Sequence, residues 1–190
     1  MDAASVSEVH KSFGSKVALR GVSFRLPKCG VIGLLGPNGA GKSTMIRMLA
    51  GVLQPDSGAV LIGGATPSQV EVRTHIGWLP ENNPLPLNRS VHDWVVEACQ
   101  SRGGTKKQAF DALDRCDLAL HADRPIGALS KGWRQLVGLA AALAHQPEVL
   151  ILDEPSTGMD PLRRRWFRSL LRELAAERSV LLSSHLLDEA

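Results

Sequence analysis

The residues with the clearest chemical meaning lie in segment 36–44, which reads GPNGAGKST. Its glycines allow a tight backbone turn in which successive N–H groups point at phosphate oxygens. Lys42 can reach the terminal phosphates of a nucleoside triphosphate, and the hydroxyl of Ser43 can bind Mg²⁺. An apolar run precedes the segment and a stretch with helical spacing follows it, so a helix N-terminus adds a positive dipole end. The segment is therefore predicted to be a phosphate-binding loop.

Three carboxylates and one histidine stand where such a loop needs further chemistry. Asp153 ends an apolar run and is expected to contact Mg²⁺ beside Ser43, either directly or through another ligand of the ion. Glu154 follows it and is expected to act as the general base for a water that attacks the γ-phosphate. His185 ends the next apolar run and is expected to sense the γ-phosphate or to stabilise the transition state. Glu81 is expected either to touch Mg²⁺ or its water, or to be solvated.

These residues follow apolar runs that alternate with helical stretches, a pattern that predicts a three-layer α/β fold built on a parallel sheet. Ligands of such sheets bind beyond the carboxyl ends of the strands, so the loop, the carboxylates and the histidine are expected at one edge. Segment 31–35 is expected to be a buried strand, and segment 5–13 an edge strand. Further strands are predicted at 16–26, 59–64, 74–81, 149–155 and 179–185, with helices at 45–53, 136–146 and 162–176.

The hydrophobic period becomes helical between residues 90 and 120, without an intervening strand. Ser90 and Thr105 are predicted to cap two helices in this stretch. The chain is thus expected to form one domain over residues 1–190, with a helical subdomain inserted at about 82–135.

The composition limits the class of partner. The 190 residues are 44% apolar with a net charge of +3, which is too mild to indicate nucleic acid binding. The three cysteines are odd in number and widely spaced, so neither a zinc site nor a disulfide framework is expected. No apolar leader is visible, and the longest helical apolar run, residues 136–144, is about half of the ~20 residues that a membrane span needs. We expect a chain that reaches a membrane only through another protein.

Four short motifs in a fixed order give the chain a family resemblance. After the phosphate loop come LSKGWRQ at 129–135, LDEP at 152–155, STGMDP at 156–161 and SSH at 183–185. In these motifs the chain resembles the ATP-binding subunit of ATP-binding-cassette (ABC) transporters, and the match covers nearly the whole chain. The resemblance implies an α/β, three-layer P-loop NTPase fold with an inserted helical subdomain and an N-terminal antiparallel β portion. It also implies ATP and Mg²⁺ as cofactors.

The same resemblance implies roles for individual residues. Phe13 matches the aromatic residue that stacks on adenine, and Glu81 stands where the family usually has the glutamine of the Q-loop. A signature that binds the γ-phosphate of ATP held by the opposite subunit is matched by Ser130 and Gly132, and the signature site also includes Lys131 between them. Asp160 matches the D-loop aspartate at the subunit interface. The implied nucleotide contacts are Phe13, Gly36, Pro37, Asn38, Gly39, Ala40, Gly41, Lys42, Ser43 and Thr44; the metal contacts are Ser43, Asp153 and Glu81; and the catalytic residues are Glu154 and His185.

The function implied by the resemblance is ATP hydrolysis coupled to transport. Two ATPase subunits, as a homodimer or pseudo-dimer, would enclose two ATP molecules between them. Segment 82–135 would relay their closure to an integral membrane permease at the cytoplasmic face of the membrane. The pairing of LPE at 79–81 with LSKG at 129–132 is similar to the branch that serves two-component exporters. No nucleic acid partner is implied.

Three departures from the family pattern affect this interpretation. Glu81 replaces the usual glutamine, whereas Lys131 and Trp133 replace a glycine and a glutamine of the signature. The sequence stops at Ala190, so the usual C-terminal strands are expected to be missing and a sheet edge to be uncovered. The sequence leaves two alternatives open: a soluble, non-transport ABC ATPase, and a truncated nucleotide-binding module without turnover.

Overall fold

The chain builds two β-sheets and six α-helices within residues 2–184, the range that the computed structural model describes. His185 lies outside the described residues. The strands are β1 (Ala4–Phe13), β2 (Lys16–Leu26), β3 (Gly30–Leu35), β4 (Ser57–Ile62), β5 (Ile76–Leu79), β6 (Val149–Asp153) and β7 (Ser179–Ser184). The helices are α1 (Lys42–Leu49), α2 (Val70–Arg73), α3 (Val91–Gln100), α4 (Lys106–Arg115), α5 (Lys131–Leu143) and α6 (Pro161–Glu177), with short 3₁₀ turns at Ala119–His121 and Ile126–Ala128.

Strand β6 shows why the fold has three layers. It is buried at every position and lies between β5 and β7 in a parallel sheet of order β3-β7-β6-β5. Val149 and Ile151 join one core cluster with α1, whereas Leu150 and Leu152 join another with α5 and α6. Because successive strand residues point to opposite faces, a continuous apolar run suits a sheet that is covered on both sides. The predicted α/β fold with a parallel sheet is confirmed.

The second sheet is antiparallel, with the order β2-β1-β4. The prediction that segment 5–13 is an edge strand is wrong, because β1 pairs with a strand on each side. Its buried residues Val6 and Val9 are three positions apart, and the register shifts between them at Glu8, whose φ angle is +47°. Such a bulge interrupts the period of two, which is why the alternation in the sequence is weak.

Strand β3, which leads into the phosphate loop, is half-buried and not buried as predicted. Within the described residues it is one of the two outer strands of the parallel sheet, and its positions alternate between intermediate and exposed. Val31 and Leu35 are 42% and 41% exposed. An apolar run therefore does not distinguish an outer strand of this sheet from a central one.

Helices α3 and α4 pack with α5 to form the helical part of the chain. Ser90 caps α3 by accepting a hydrogen bond from the N–H of Asp93 at 3.1 Å, and Thr105 forms a capping box with Gln108 at α4. Both predicted caps are confirmed. Buried residues of α3, α4 and α5 belong to the same core cluster as those of α6 and one face of β6. The helical part and the parallel sheet thus share one apolar core.

A buried histidine makes the fold sensitive to acid. His145 follows α5, is 8% exposed, and donates from Nε2 to the carbonyl oxygen of Ile76 at 3.1 Å. Burial lowers the pKa of His145 to about 4, and the positive charge of Arg102 acts in the same direction. Its Nδ1 atom has no hydrogen-bond partner among the described residues. The folded protein therefore keeps this imidazole neutral at mildly acidic pH.

We expect His145 to lower the free energy of unfolding by about 3 kcal/mol when the pH falls from 7 to 4. Between these values the unfolded chain binds a proton at the ordinary histidine pKa of 6.5, whereas the folded chain does not, so stability is lost as the pH falls. Urea unfolding of the His145→Gln variant should show an acid loss smaller by that amount. The exposed His10 provides a control through His10→Gln. Equal pH slopes for His145→Gln and the unaltered protein would contradict the prediction.

Candidate nucleotide-binding site

The predicted phosphate loop connects β3 to α1 and contains the tight turn that phosphate binding requires. Gly36, Gly39 and Gly41 have φ angles of +152°, +85° and +93°, which glycine adopts without strain. At Gly41 a Cβ atom would lie 2.7 Å from the carbonyl oxygen of Ala18, so a larger residue would displace the backbone. Gly41 directly precedes α1, and no side chain caps that helix within the described residues. The first N–H groups of α1 are therefore available to an anion.

Lys42 begins α1 and folds back onto the loop. Its Nζ atom donates to the carbonyl oxygens of Gly36 at 2.6 Å and Pro37 at 3.3 Å. These contacts place the ammonium group beside the start of the helix. Charged acceptors such as phosphate oxygens bind an ammonium more strongly than neutral carbonyls do, so Lys42 fits the phosphate-binding role predicted for it.

Ser43 and Asp153 meet at the carboxyl end of the parallel sheet. The Oγ atom of Ser43 lies 3.4 Å from Oδ1 of Asp153, which is 4% exposed. On the neighbouring strand β7, Ser183 donates from Oγ to the same carboxylate oxygen at 2.6 Å. A hydroxyl and a carboxylate oxygen side by side are ligands that Mg²⁺ accepts, so the residues present fit this ion.

Glu154 follows β6 with an unusual backbone conformation. Its φ angle is +49°, in the left-handed region that residues with a side chain rarely adopt. Its N–H donates to Oγ of Ser183 at 3.0 Å, and the residue is 8% exposed. The side chain lines the same cleft as Lys42 and Ser43. A strained residue that brings a carboxylate to a polar cleft is typical of a functional site.

One cleft of about 380 Å³ unites most of the predicted site. It is lined by Phe13, Lys16, Ala18, Asn38, Gly39, Gly41, Lys42, Ser43, Thr44, Glu81, Glu154 and Thr157. Asp153 reaches the cleft through its contact with Ser43. Four separated stretches of sequence thus meet at one edge of the sheet. They carry the residues predicted to bind the nucleotide, to bind Mg²⁺ and to act as the general base.

Phe13 lies at the rim of this cleft, at the end of β1, and is 52% exposed. The Nζ atom of Lys11 lies 5.7 Å from the centre of its ring, and that ammonium pairs with Asp56 at 2.6 Å. An exposed aromatic ring at a cleft rim suits stacking on a nucleobase. Glu81 follows β5 and is exposed on the same cleft, so its contact with Mg²⁺ or its water stays a prediction beside the alternative that it is solvated.

The residues of the predicted signature and D-loop do not line this cleft. Ser130 precedes α5 and caps it, with 3.5 Å between its Oγ and the N–H of Trp133. Ser130 and Lys131 are exposed, whereas Gly132 is buried. Asp160 caps α6, where a hydrogen bond from the N–H of Arg163 at 2.9 Å lowers the pKa of its carboxyl. These groups therefore form a second polar region on the same chain.

Four residues of the site were not named by the sequence analysis. Lys16, Ala18 and Thr157 line the cleft, and Ser183 ties the β6 carboxylate to the Glu154 backbone. Ser183 alone carried a usable signal. It is a hydroxyl in the last two positions of an apolar strand, and a parallel neighbour of β6 brings it into register with Asp153. Lys16 and Ala18 lie on β2 and Thr157 follows β6, so their places at the cleft depend on how separate elements pack, which no sequence pattern specifies.

The sequence predicts ATP hydrolysis at this site, and we expect Ser183→Ala to lower the rate of that predicted reaction about 10-fold, because the Asp153 carboxylate and the Glu154 N–H both lose a partner. The Mg²⁺ concentration for half-maximal rate should rise, whereas ATP binding without Mg²⁺ should be unchanged. Ser179→Ala is a matched control, since Ser179 lies at the other end of β7 and its hydroxyl has no described hydrogen-bond partner. Equal activities for the two variants would contradict the positioning role of Ser183.

Comparison with known proteins identifies the relatives of this chain. The sequence profile of a family described as ABC transporter matches residues 19–157. The lantibiotic transport ATP-binding protein SrtF of Streptococcus pyogenes is 33% identical over 97% of this chain and 80% of its own length. The Nod factor export ATP-binding protein I of Burkholderia lata is 36% identical over 96% of this chain and 62% of its own length. A solved structure of an ATP binding subunit of an ABC transporter has a TM-score of 0.87 at 25% identity, over 98% of this chain and 80% of that one.

A parallel sheet in which one strand leads into a phosphate loop and another, here β6, ends in a carboxylate beside that loop is typical of P-loop nucleotide-binding proteins. The chain belongs to the ABC transporter family. Its fold is that of the family's ATP-binding subunits. Within residues 2–184, no helix combines the length and the apolar character that crossing a bilayer requires.

Proposed function

We propose that the chain is a Mg²⁺-dependent ATPase and that two copies drive export through a separate membrane permease. The observation that carries the proposal is the convergence of Lys42, Ser43 and Glu154 on one cleft, with Asp153 in contact with Ser43. Together they supply a cation for the phosphates, two metal ligands and a carboxylate near the point of attack. Phosphoryl transfer to water requires this set of groups.

Each group has a defined task in this mechanism. Lys42 and the first N–H groups of α1 bind the terminal phosphates and offset the charge that develops on them. Ser43 and Asp153 hold Mg²⁺, which neutralises charge on the phosphate oxygens when it is bound. Glu154 orients a water and accepts its proton as the γ-phosphoryl group is transferred. The role predicted for His185 falls outside the described residues and stays a prediction.

The second copy supplies what the cleft of one chain does not contain. Ser130 lies at the exposed start of α5 and is not among the residues that line the cleft. Its hydroxyl and the first N–H groups of the 13-residue helix suit an anion. Two copies arranged head to tail place this region of each against the γ-phosphate held by the other. Asp160 then lies at the junction between them.

The names of the relatives support transport, and export in particular. SrtF is a lantibiotic transport protein, and the relative from Burkholderia lata is a Nod factor export protein. We place the chain at the cytoplasmic face of a membrane, held there by a permease that contacts the helical part around α3 and α4. A tagged chain that never co-purifies with an integral membrane protein from detergent extracts would contradict the transport part of this proposal.

Phosphate release by the purified chain tests the ATPase part, and removal of Mg²⁺ is expected to lower it about 100-fold. The rate per molecule should also rise with protein concentration, since two copies complete each site. Labelled ATP should still bind in excess EDTA, because Lys42 and the α1 N–H groups bind phosphate without the ion. Undiminished hydrolysis in EDTA, or a rate per molecule that is constant over a wide range of protein concentration, would contradict the proposed mechanism.

A further inference from the structure

Two residues of the signature turn towards a neighbouring part of their own chain. We call residues 130–133 the signature segment and residues 158–163 the D-loop segment, which leads into α6. Lys131 and Trp133 are the two positions at which the signature segment departs from the family pattern. Both side chains lie against the D-loop segment. The two departures therefore share one contact surface.

Trp133 is held by a charged side chain of α6. The guanidinium carbon of Arg163 lies 3.7 Å from the centre of the Trp133 ring, a close cation–π distance. His121 approaches the same ring at 4.2 Å between centroids, with the planes at 67°. The Nε atom of Arg163 lies 3.7 Å from the carboxylate of Asp160. The D-loop carboxylate, the guanidinium and the signature indole thus form a continuous chain of contacts.

The backbones of the two segments also approach closely. A Cβ atom added to Gly132 would lie 3.1 Å from the carbonyl oxygen of Gly158. A Cβ atom added to Gly158, where φ is +83°, would lie 2.8 Å from Cδ of Lys131. The aliphatic part of Lys131 therefore covers Gly158. Gly132 and Gly158 permit this approach because they have no side chains. The side chains on either side of Gly132, those of Lys131 and Trp133, contact the D-loop segment.

We propose that these contacts form a latch that makes the signature segment and the D-loop segment move as one body. The latch rests on the proposed function, because its purpose is to fix the γ-phosphate-binding groups that one copy presents to the other. Ser130 and the first N–H groups of α5 are held at a constant distance from Asp160. Trp133, Lys131 and Arg163 are positioning residues, and none of them contributes to the cleft in which its own chain binds ATP.

Hydrogen exchange in the single chain without nucleotide tests the latch itself. Trp133→Gln should speed exchange of the backbone amides of residues 159, 160, 162 and 163, and Arg163→Gln should speed exchange at 131–134, each by roughly 5- to 10-fold. Trp133→Phe keeps an aromatic face and should stay close to the unaltered protein. Arg172→Gln removes the same charge from an exposed position on the same helix and serves as the control. Exchange that changes only in the segment carrying the substitution would overturn the latch.

ATP-dependent dimerisation in a Glu154→Gln background tests the positioning role. Trp133→Gln and Arg163→Gln should each raise the ATP concentration for half-maximal dimerisation about 10-fold, while ATP affinity of the monomer stays constant. The double variant should be no worse than the single ones, because both remove the same contact. Dimerisation unaffected by either change would overturn the positioning role.

Two further outcomes distinguish the latch from a direct role of Trp133 and from failure of the proposed function. If Trp133→Gln weakens dimerisation but Arg163→Gln does not, Trp133 acts directly on the partner's nucleotide and the latch is overturned. If Glu154→Gln with an intact latch forms no dimer in ATP, the proposed function fails and the positioning role fails with it. In that case hydrogen exchange in the single chain still tests the contact between the signature segment and the D-loop segment. Failure of the latch and failure of the proposed function can therefore be distinguished.

Discussion

Glu154→Gln is expected to lower steady-state ATP hydrolysis about 1,000-fold while ATP still binds and two copies remain associated around it. The amide cannot accept the proton of the attacking water, whereas its size and its hydrogen-bonding atoms resemble those of the carboxylate. Glu154 lines the cleft together with Lys42 and Ser43, and the change leaves both of those residues in place. Phosphate release measures the loss, and sedimentation in ATP with Mg²⁺ measures the association.

Glu81→Gln is the matched comparison for this variant. It removes the same charge from the same cleft, but Glu81 is exposed at the rim. We expect it to retain at least about a tenth of the activity, because a general base accounts for far more of the rate than a rim charge does. Equal losses for the two variants would show that the negative charge of the cleft matters and that Glu154 is not the base.

Lys42→Ala is expected to weaken ATP binding about 1,000-fold. In the proposed complex the ammonium would form charge-assisted hydrogen bonds with two phosphates, and each such bond contributes about 1.5–3 kcal/mol. The carbonyl oxygens of Gly36 and Pro37, which Lys42 contacts, face solvent after the change and can be hydrated. Calorimetric titration with ATP measures the affinity, and the melting temperature should shift by only a few degrees.

Lys16→Ala provides the control for nonspecific electrostatics. Lys16 lines the same cleft but is exposed on β2 and lies outside the phosphate loop. We expect its replacement to weaken binding by no more than about 10-fold, since an exposed charge is screened by solvent. A comparable loss for Lys16→Ala and Lys42→Ala would mean that net positive charge, and not the loop geometry, binds the nucleotide.

The sequence predicts those parts of the site that depend on a short run of chain. The phosphate loop needs only its own glycines, one lysine and one serine between a strand and a helix, so GPNGAGKST suffices to predict it. Asp153 and Glu154 can also be predicted from a short run of chain. Carboxylates at the end of a fully apolar strand are costly to bury, so they indicate a functional role. The carboxyl-edge rule for parallel sheets then places these local features together.

The parts that the sequence does not predict depend on partners distant in the chain. The central position of β1 is hidden by a bulge at Glu8, and the outer position of β3 depends on which strands pair with it. Ser183 gains its meaning only from a register that sets it opposite Asp153. The latch is hidden in the same way, because LSKGW reads as an altered signature until Arg163 is seen over Trp133.

The backbone conformation of Glu154 is unfavourable for folding, whereas its carboxylate is needed for the proposed turnover. A glutamate at φ +49° costs the native state about 1 kcal/mol relative to glycine, which adopts that conformation without strain. Glycine at this position would relieve that backbone strain, but it would also remove the carboxylate proposed as the general base. The backbone conformation therefore favours glycine, and the proposed chemistry is the reason that the structure offers for a glutamate there.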